Sequence, residues 1–406
     1  MDKSLDQQRS PTFCVAPWVQ LATNASGNYR VCCHSQSGKN ILLNERGESL
    51  KIFSHTVEEA WTSPTYRAIR GQFLKGEKPD MCVRCFREEA AGIKSARLKW
   101  NERWQSRFEM QIDPPADIKY IDLRLGNLCN LKCRMCNPYA SSQWADDWND
   151  VVDSAVLVPP SPLSEREQKR LKKLDWPTNE STWQALEPLI ESIEEIYLTG
   201  GEPFLSLEQI KLLQKIIDLG CAKQITIKYN TNLTVLPEKL VNLWKEFKLV
   251  QLNVSVDGFG ALDEYIRYPT RWAVVDENLH RLHILKEKQD NIIVGVHVTV
   301  QMYNILKLDE LLRYLHSRFN LMPYLNILNH PECLNIRCLP LQLKQEAKER
   351  LADWSEHEEV SKIFKYMFKE DLHRTKFFEF QNYTQKLDKI RGQNLFELNS
   401  EFEEFF

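Results

Sequence analysis

The chain has 406 residues, a formal net charge of −3 and 11 cysteines. Hydrophobic residues make up 43% of it and charged residues 27%, which excludes a disordered chain, a collagen and a disulfide mini-protein. The near-zero charge argues against a general nucleic-acid binder, because such a protein needs a basic surface to neutralise phosphates. At about 150 residues per domain, the length predicts about two to three domains.

The longest apolar runs are as short as strands, so the sequence predicts no transmembrane helix and no membrane partner. Its first residues, MDKSLDQQRSP, are polar and lack the apolar stretch of a signal peptide. We therefore expect a cytoplasmic protein. Thiols stay reduced in that compartment, so clustered cysteines favour metal binding over disulfides. Eight of the 11 cysteines lie in the first 136 residues, where the chemistry is expected.

Residues 1–110 are predicted to form a small cysteine-rich domain. A helical pattern covers residues 56–75, with a break near Ser63-Pro64, and a second helix rich in Arg and Lys is predicted over residues 88–107. From residue 118 the pattern changes to short β-branched runs that alternate with helical segments. Such alternation is typical of repeated βα units and a parallel sheet.

Six βα units predict an α/β fold with a partial (β/α)6 TIM-like barrel over residues 111–335, because a closed barrel needs eight. The predicted strands cover residues 120–125, 195–199, 224–229, 249–256, 292–300 and 324–328. The predicted helices between them cover residues 206–219, 237–247, 273–288 and 306–319. Residues 336–406 are predicted to form a helical C-terminal segment.

A long insertion separates the first two strands of the predicted barrel. It contains the stretch VLVPPSPLS, which is predicted to be a loop, and then the charged stretch EREQKRLKKLDW. A charge run of this kind predicts a solvated helix face. Docking of an electron donor or of an acidic partner is the alternative.

The stretch LRLGNLCNLKCRMCNP places Cys129, Cys133 and Cys136 as C-x3-C-x2-C directly after the first predicted strand. Three thiolates on one loop can face one metal centre, and soft thiolates select zinc or an iron–sulfur cluster. Four thiolates complete an ordinary cubane, so three leave one iron open to a substrate or cofactor. A structural zinc loop with a distant fourth ligand is the alternative.

Polar residues follow the next three predicted strands. The second ends in TGGEP, where two glycines allow close backbone approach and Glu202 can accept a hydrogen bond from an ammonium group. The third ends in YNTN and the fourth in SVDG. Because the carboxyl ends of parallel strands share one edge of a sheet, these residues are expected to line one ligand site.

The motifs CNLKCRMC, TGGEPF, YNTN and SVDG, in this order, resemble those of radical S-adenosylmethionine (SAM) enzymes over about residues 115–330. The resemblance implies that Cys129, Cys133 and Cys136 hold a [4Fe–4S] cluster whose fourth iron is chelated by SAM. An electron from the cluster would cleave SAM to methionine and a 5′-deoxyadenosyl radical, which abstracts a substrate hydrogen. A flavodoxin or ferredoxin would supply the electron.

The resemblance also implies which residues contact SAM. The residues expected to line the methionine amino group are Gly200, Gly201, Glu202 and Pro203, and those expected near the ribose and carboxylate are Ser255 with Asn230 or Asn232. Met135 stands where the family often has an aromatic residue and can pack on adenine as a soft apolar surface. Arg267 could pair with the SAM carboxylate, although an exposed position at a helix end is the favoured interpretation.

A second set of cysteines precedes the predicted barrel. Cys14 and Cys32 are spaced as C-x12-G-x4-C, and Cys82 and Cys85 form a C-x2-C pair. Two strands joined by a turn at Gly27 would bring the first two together. Four thiolates make a complete site for zinc or an iron–sulfur cluster.

This spacing resembles the twitch domain, the shorter relative of the SPASM domain, which carries an auxiliary iron–sulfur cluster. Such domains usually follow the radical SAM core, whereas this one precedes it. We expect a fully ligated [4Fe–4S] cluster here, with [2Fe–2S] and zinc as alternatives. Cys33 and His34 are rivals of Cys32 as the ligand.

The sequence favours a radical SAM enzyme, with a slight preference for a peptide or protein substrate by analogy with twitch and SPASM relatives. The same chemistry on a sugar or nucleotide metabolite is the alternative, and a zinc-stabilised interaction protein is the non-enzymatic one. Cys333 and Cys338 are predicted to be packed in the core, with substrate contact as the alternative. His297, in the fifth barrel strand, could point into the barrel.

Overall fold

The computed structural model describes residues 10–36, 38–90, 92, 94–153, 156, 158 and 160–406. The expectation of no signal peptide rests mainly on residues 1–9, which lie outside the described residues. Part of the predicted loop VLVPPSPLS lies outside them as well.

One sheet organises the described chain. Its strands are β1 (Gln20–Thr23), β2 (Tyr29–Arg30), β3 (Tyr120–Arg124), β4 (Glu195–Thr199), β5 (Thr226–Thr231), β6 (Leu249–Ser255), β7 (Ile292–Val300) and β8 (Tyr324–Ile327). Their spatial order is β2-β1-β3-β4-β5-β6-β7-β8, and every neighbouring pair runs parallel except β2 and β1. The predicted α/β fold with a partial barrel is confirmed.

The strand boundaries follow the sequence pattern closely, with one shift. Residues 195–199 and 292–300 are strands as predicted, whereas the strand predicted over residues 224–229 is Thr226–Thr231. The short 3₁₀ helix Ala222–Gln224 occupies its expected start. Along β7 the buried residues alternate with less buried ones, because successive strand residues point to opposite faces of the sheet.

The N-terminal region contributes to the same sheet. Strand β1 pairs in parallel with β3, in the register Gln20 to Tyr120, and pairs antiparallel with β2. The predicted hairpin is therefore present. It turns at Gly27, whose φ of +75° suits glycine and whose added Cβ would stand 2.9 Å from the Phe53 ring. The cysteine-rich region thus extends the barrel sheet beyond its first predicted strand.

Helices cover the sheet and form the C-terminal segment. They are α1 (Ala16–Val19), α2 (Val57–Trp61), α3 (Pro64–Leu74), α4 (Val83–Ala90), α5 (Ala96–Trp104), α6 (Trp144–Val151), α7 (Glu165–Leu171), α8 (Glu180–Gln184), α9 (Gln209–Asp218), α10 (Glu238–Trp244), α11 (Ala261–Ile266), α12 (Trp272–Lys288), α13 (Leu308–Phe319), α14 (Leu341–Arg350), α15 (Glu358–Met367) and α16 (His373–Arg391). The last three confirm the predicted helical C-terminal segment.

Helix caps explain where the N-terminal helices start. The break predicted near residue 63 is confirmed, because Ser63 caps α3 and Pro64 occupies its first turn. The single helix predicted over residues 88–107 is wrong. Ser95 accepts a hydrogen bond from the backbone N–H of Leu98 and starts α5 as a new helix after α4.

The charged stretch after the first barrel strand forms α7, which begins with a capping box between Ser164 and Glu167. Leu171 is its buried residue, so the helix presents a solvated face as predicted. In the described part of the chain, no helix is both long and apolar enough to cross a bilayer.

Candidate active site

A cavity of about 620 Å³ opens at the carboxyl ends of the parallel strands. The predicted site residues that line it are Cys129, Cys133, Cys136, Gly200, Gly201, Glu202, Asn230, Asn232, Ser255 and Arg267. Pro203 and Met135 lie outside the lining: Pro203 is buried in the first turn of a short 3₁₀ helix, and Met135 packs against the buried cysteines. The strand-end motifs therefore converge on one space, as the parallel topology requires.

We define the cluster loop as residues 125–136. Its three cysteines are free thiols, and Cys129 and Cys133 are buried. The thiol of Cys136 hydrogen-bonds that of Cys133 and lowers its pKa to about 7, whereas burial raises the pKa of Cys129 to about 12. The side-chain amide of Asn232 donates to Sγ of Cys129 at 3.8 Å. Three neighbouring thiols that face one cavity fit a cluster with one open iron.

Two glycines admit the cluster loop against the end of β4. A Cβ on Gly201 would stand 2.2 Å from the carbonyl oxygen of Leu128, and one on Gly200, whose φ is +143°, would stand 2.9 Å from the backbone nitrogen of Leu125. The sequence predicted that these glycines let a ligand approach. The structure shows that the first close approach is that of the backbone of the cluster loop itself.

Glu202 is a buried carboxyl that fixes the ends of two strands. It accepts hydrogen bonds from the Thr231 hydroxyl at 2.7 Å, from the Asn232 backbone N–H at 2.6 Å and from the Phe204 backbone N–H at 3.1 Å. Burial raises its pKa to about 7, against these bonds. Because a carboxylate offers about four lone-pair positions, one of them is left for a ligand cation in the cavity.

Arg267 is buried beside the cluster loop. Its side chain is 11% exposed and forms an ion pair of 2.6 Å with Asp257, and its charge also stabilises the thiolate of Cys133. The favoured prediction of an exposed helix-end arginine is therefore wrong. The reason is Asp257, in the SVDG motif, whose fully buried carboxylate requires a nearby cation.

The C-terminal helix α16 braces the cluster loop from outside. Arg134, which is fully buried, forms an ion pair of 2.5 Å with Asp388 of that helix. The Tyr383 hydroxyl donates to the carbonyl oxygen of Arg134 at 2.6 Å, and Arg391 donates to that of Lys132 at 2.5 Å. The backbone of the cluster loop is thus held by a segment more than two hundred residues away.

Residues 123–315 match the family model described as the Radical SAM superfamily. The chain carries a radical SAM domain. The match covers β3 to α13 and includes the cluster loop and the strand-end motifs that line the cavity. Members of this superfamily are enzymes, so the domain is an enzyme domain. No curated protein matches the chain.

Solved structures of radical SAM enzymes resemble the chain at a distance. anSMEcpe with bound AdoMet is 14% identical, with 60% of this chain and 62% of that one covered and a TM-score of 0.38. SuiB from Streptococcus suis is 13% identical, with 86% and 69% covered and a TM-score of 0.33. TYW1 with a lysine-pyruvate adduct bound is 16% identical, with 56% and 72% covered and a TM-score of 0.29. The chain spans about three fifths of the length of anSMEcpe.

Further residues of the radical SAM domain line the cavity without having been predicted. Asp122, Arg124 and Tyr197 point into it from β3 and β4. The two β3 residues alternate with the buried Ile121 and Leu123, so the period of two along that strand was a signal that could have identified them. His297 lines the cavity as well, the orientation that the sequence offered only as an alternative.

The adjacent cysteines Cys32 and Cys33 of the N-terminal region have different surroundings. Cys33 lines the cavity, and its thiol accepts a hydrogen bond from the Gln20 amide at 3.4 Å. Burial raises the pKa of Asp122, and a hydrogen bond from the Cys33 thiol opposes this effect. Cys32 is buried and accepts a hydrogen bond from the backbone N–H of His34 at 3.2 Å.

The other predicted auxiliary ligands lie near one another. The charges of Cys82 and Cys85 act on Cys14, whose pKa is raised chiefly by burial. Nitrogen, sulfur and oxygen atoms of His34, Cys85 and Glu88 also lie within 4.8 Å of one another, a grouping that suits a single metal ion. The N-terminal region therefore gathers several side chains of metal-binding type from separate segments. They lie beside the cavity at the strand ends, which we call the radical SAM cavity.

Cys333 and Cys338 follow β8 and are fully buried. Neither lines the cavity, and the Cys338 thiol donates to the carbonyl oxygen of Glu332 at 3.2 Å. Both therefore pack in the core, as the favoured interpretation of the sequence predicts.

Proposed function

We propose that the chain is a radical SAM enzyme that reductively cleaves SAM and abstracts a hydrogen atom from its substrate. The observation that carries the proposal is that the thiols of Cys129, Cys133 and Cys136 face one cavity inside a domain that matches the superfamily model. A [4Fe–4S] cluster bound by these thiols would supply the electron that cleaves SAM to methionine and the 5′-deoxyadenosyl radical.

The residues around the cavity have separate tasks in this proposal. Glu202 has a lone pair to accept a hydrogen bond from the ammonium group of SAM, and Arg267 offers a positive charge to its carboxylate. Ser255, Asn230 and Asn232 present hydroxyl and amide groups from the strand ends to the ribose and carboxylate. The ion pair with Asp257 holds the Arg267 guanidinium in place before SAM arrives.

We propose that Cys14, Cys32, Cys82 and Cys85 hold an auxiliary [4Fe–4S] cluster in a twitch-like N-terminal domain. The burial of Cys14, Cys32 and Cys85 and the proximity of Cys14 to the C-x2-C pair support this assignment. Cys33 is a poorer candidate, because it lines the radical SAM cavity. Four thiolates occupy every cluster iron, which suits electron transfer rather than substrate binding.

In this proposal the twitch-like domain covers residues 1–110, the radical SAM core residues 111–335 and the helical segment residues 336–406. A cytoplasmic flavodoxin or ferredoxin supplies the low-potential electron. The substrate is a peptide or protein, in keeping with the resemblance of the cysteine spacing to twitch and SPASM domains.

Anaerobic reconstitution with iron and sulfide tests the proposal. We expect a brown protein with about eight irons, four for each [4Fe–4S] cluster, that forms 5′-deoxyadenosine when it is given dithionite and SAM. A colourless protein that binds zinc and forms no 5′-deoxyadenosine would instead support a zinc-stabilised interaction protein.

A further inference from the structure

A second and a third cavity adjoin the radical SAM cavity in turn. The second, of about 580 Å³, shares Arg124 and Gly200 with it and lies between the N-terminal hairpin and residues 137–140. The second cavity shares Asn28 and Arg170 with a third cavity of about 560 Å³. Each volume is in the range of a site for one small ligand, of about 300–1,000 Å³. SAM accounts for the first cavity only, so the remaining space suits a long substrate.

The second cavity is positively charged. Arg30, Arg124 and Arg170 line it, from β2, β3 and α7, whereas no Asp or Glu is among its described lining residues. Arg30 and Arg124 lie close enough for their positive charges to repel each other. The buried Asp122 carboxyl lies near enough to attract both. Three guanidinium groups thus face this region with one carboxyl near two of them.

These arginines have unused hydrogen-bonding capacity. Arg30 is 4% exposed and donates to the carbonyl oxygens of Cys32 and Cys33 through Nε and one terminal nitrogen, while its Nη1 atom has no hydrogen bond to the described residues. The guanidinium groups of Arg124 and Arg170 form no hydrogen bond or ion pair with any residue that the structure describes. Arg30 is buried, whereas Arg124 and Arg170 are exposed, so an anionic ligand that enters the cavity would meet one desolvated guanidinium and two that no carboxylate pairs with in the described residues.

The neutral lining of the second cavity matches peptide groups. Asn24, Asn28, Asn40 and Asn137 line it. Asn24 and Asn137 use their side-chain oxygens, and Asn28 and Asn40 their side-chain nitrogens, in hydrogen bonds within the protein, so each amide has its other group for a peptide N–H or carbonyl oxygen. Peptide-binding grooves combine such main-chain hydrogen bonds with pockets for individual side chains. A guanidinium group binds a carboxylate through two parallel hydrogen bonds.

We propose that the second cavity binds an acidic side chain of an extended peptide substrate, while a neighbouring residue of that peptide enters the radical SAM cavity. Arg124 and Arg30 hold the carboxylate at the inner end, and Arg170 attracts it at the outer end. The assignment rests on the proposed radical SAM function and specifies its substrate class.

Fluorescence anisotropy of labelled peptides tests this site on the reconstituted enzyme in the presence of SAM. The probes are an octapeptide of alternating Glu and Gly and its matched counterpart of alternating Gln and Gly. We expect the Glu peptide to bind at least about tenfold more tightly, since charge-assisted bonds replace neutral ones. Arg124→Gln should lower its affinity by about tenfold and Arg170→Gln by about threefold.

Arg166→Gln is the matched control, because Arg166 is exposed on the same helix as Arg170 but lines none of the three cavities. We expect it to bind the Glu peptide like the wild type. Equal affinity for the Glu and Gln peptides, or equal losses in Arg166→Gln and Arg170→Gln, would overturn the site. Displacement of the Glu peptide by inorganic phosphate but not by acetate would overturn the peptide class in favour of a phosphorylated small substrate.

Formation of 5′-deoxyadenosine in the same preparation separates the two proposals. If the product forms while the peptides bind equally, the acidic-peptide site alone fails. If no product forms, the radical SAM proposal fails and this substrate assignment fails with it.

Discussion

The two cysteine-rich regions are built in contrasting ways. Cys129, Cys133 and Cys136 stand on one loop, whereas Cys14, Cys32 and the pair Cys82 and Cys85 come from three separate segments. The first set requires only a local turn of the chain to converge. The second requires a hairpin, two helices and their packing, so its geometry depends on the whole N-terminal region.

The same device stabilises both regions, namely a buried arginine that ties distant segments together. Arg134 joins the cluster loop to Asp388 of α16. Arg97 forms an ion pair of 2.5 Å with Glu89 and donates to the carbonyl oxygens of Pro11 and Phe13, just before Cys14. Spacing predicts the metal ligands, while long-range ion pairs determine how firmly their loops are held.

The largest expected effect is the difference in 5′-deoxyadenosine formation between a variant of the cluster loop and a variant of the N-terminal cysteines. Cys133→Ala should abolish 5′-deoxyadenosine formation, because two thiolates on the cluster loop cannot hold the SAM-binding cluster. Cys82→Ala should leave that cluster assembled, with about four irons per protein. Iron analysis and product chromatography measure both outcomes. Cys221→Ala, at a cysteine outside both sets, is the control and should keep both clusters. Loss of about eight irons in either variant would show that the two centres are not independent.

A second expectation concerns which of the adjacent cysteines, Cys32 or Cys33, binds the proposed auxiliary cluster. Cys32→Ser should lose the auxiliary cluster and about four irons, whereas Cys33→Ser should keep about eight, because Cys33 lines the radical SAM cavity instead. Iron and sulfide analysis of the two variants decides between them. The reverse result would make Cys33 the ligand and contradict the proposed auxiliary site.

The buried ion pairs give a third test. Asp388→Asn should lower the free energy of unfolding by about 3 kcal/mol, because Arg134 would remain buried without its counterion. Glu89→Gln should cost less, since the Arg97 side chain keeps some contact with solvent whereas that of Arg134 has none. Urea denaturation under anaerobic conditions measures both. The surface pair of Glu358 and Lys362 supplies the control, and Glu358→Gln should cause no measurable change. A cost for Asp388→Asn no larger than for this control would remove the bracing role of α16.

The smallest expected effect comes from the steric overlap that a side chain at Gly201 would cause. Gly201→Ala should reduce the rate of 5′-deoxyadenosine formation by about tenfold, because overpacking by one methyl group costs about 1–3 kcal/mol and here displaces the cluster loop. Gly71→Ala, at a helical glycine with open space around it, should leave the rate unchanged. If the two variants behaved alike, the close approach at Leu128 would have no part in positioning the cluster loop.

The sequence was sufficient for the barrel strands and the cluster loop because both depend on local patterns. The β-branched runs predicted β4 and β7, and the spacing of three cysteines predicted side chains that the structure places at one cavity. The break between α4 and α5 is not visible in the helical pattern of residues 88–107. Its local signal is Ser95, because a serine before a helical run is a known start signal.

The rest of the site depends on contacts between distant residues. The inward position of Arg267 is set by its ion pair with the buried Asp257, and the brace of Arg134 comes from Asp388 in the C-terminal helix. The pairing of β1 with β3 joins segments about a hundred residues apart. No local pattern encodes such partners, so they emerge only from the packed structure.

Electron paramagnetic resonance of the dithionite-reduced, reconstituted protein tests the central claim most directly, because only a cluster with an open iron can bind SAM. We expect two sets of signals, of which one shifts when SAM is added. That signal should disappear in a variant with Cys129, Cys133 and Cys136 all replaced by Ala, while the signal that does not respond to SAM remains. A spectrum unchanged by SAM in the wild-type protein would contradict the account.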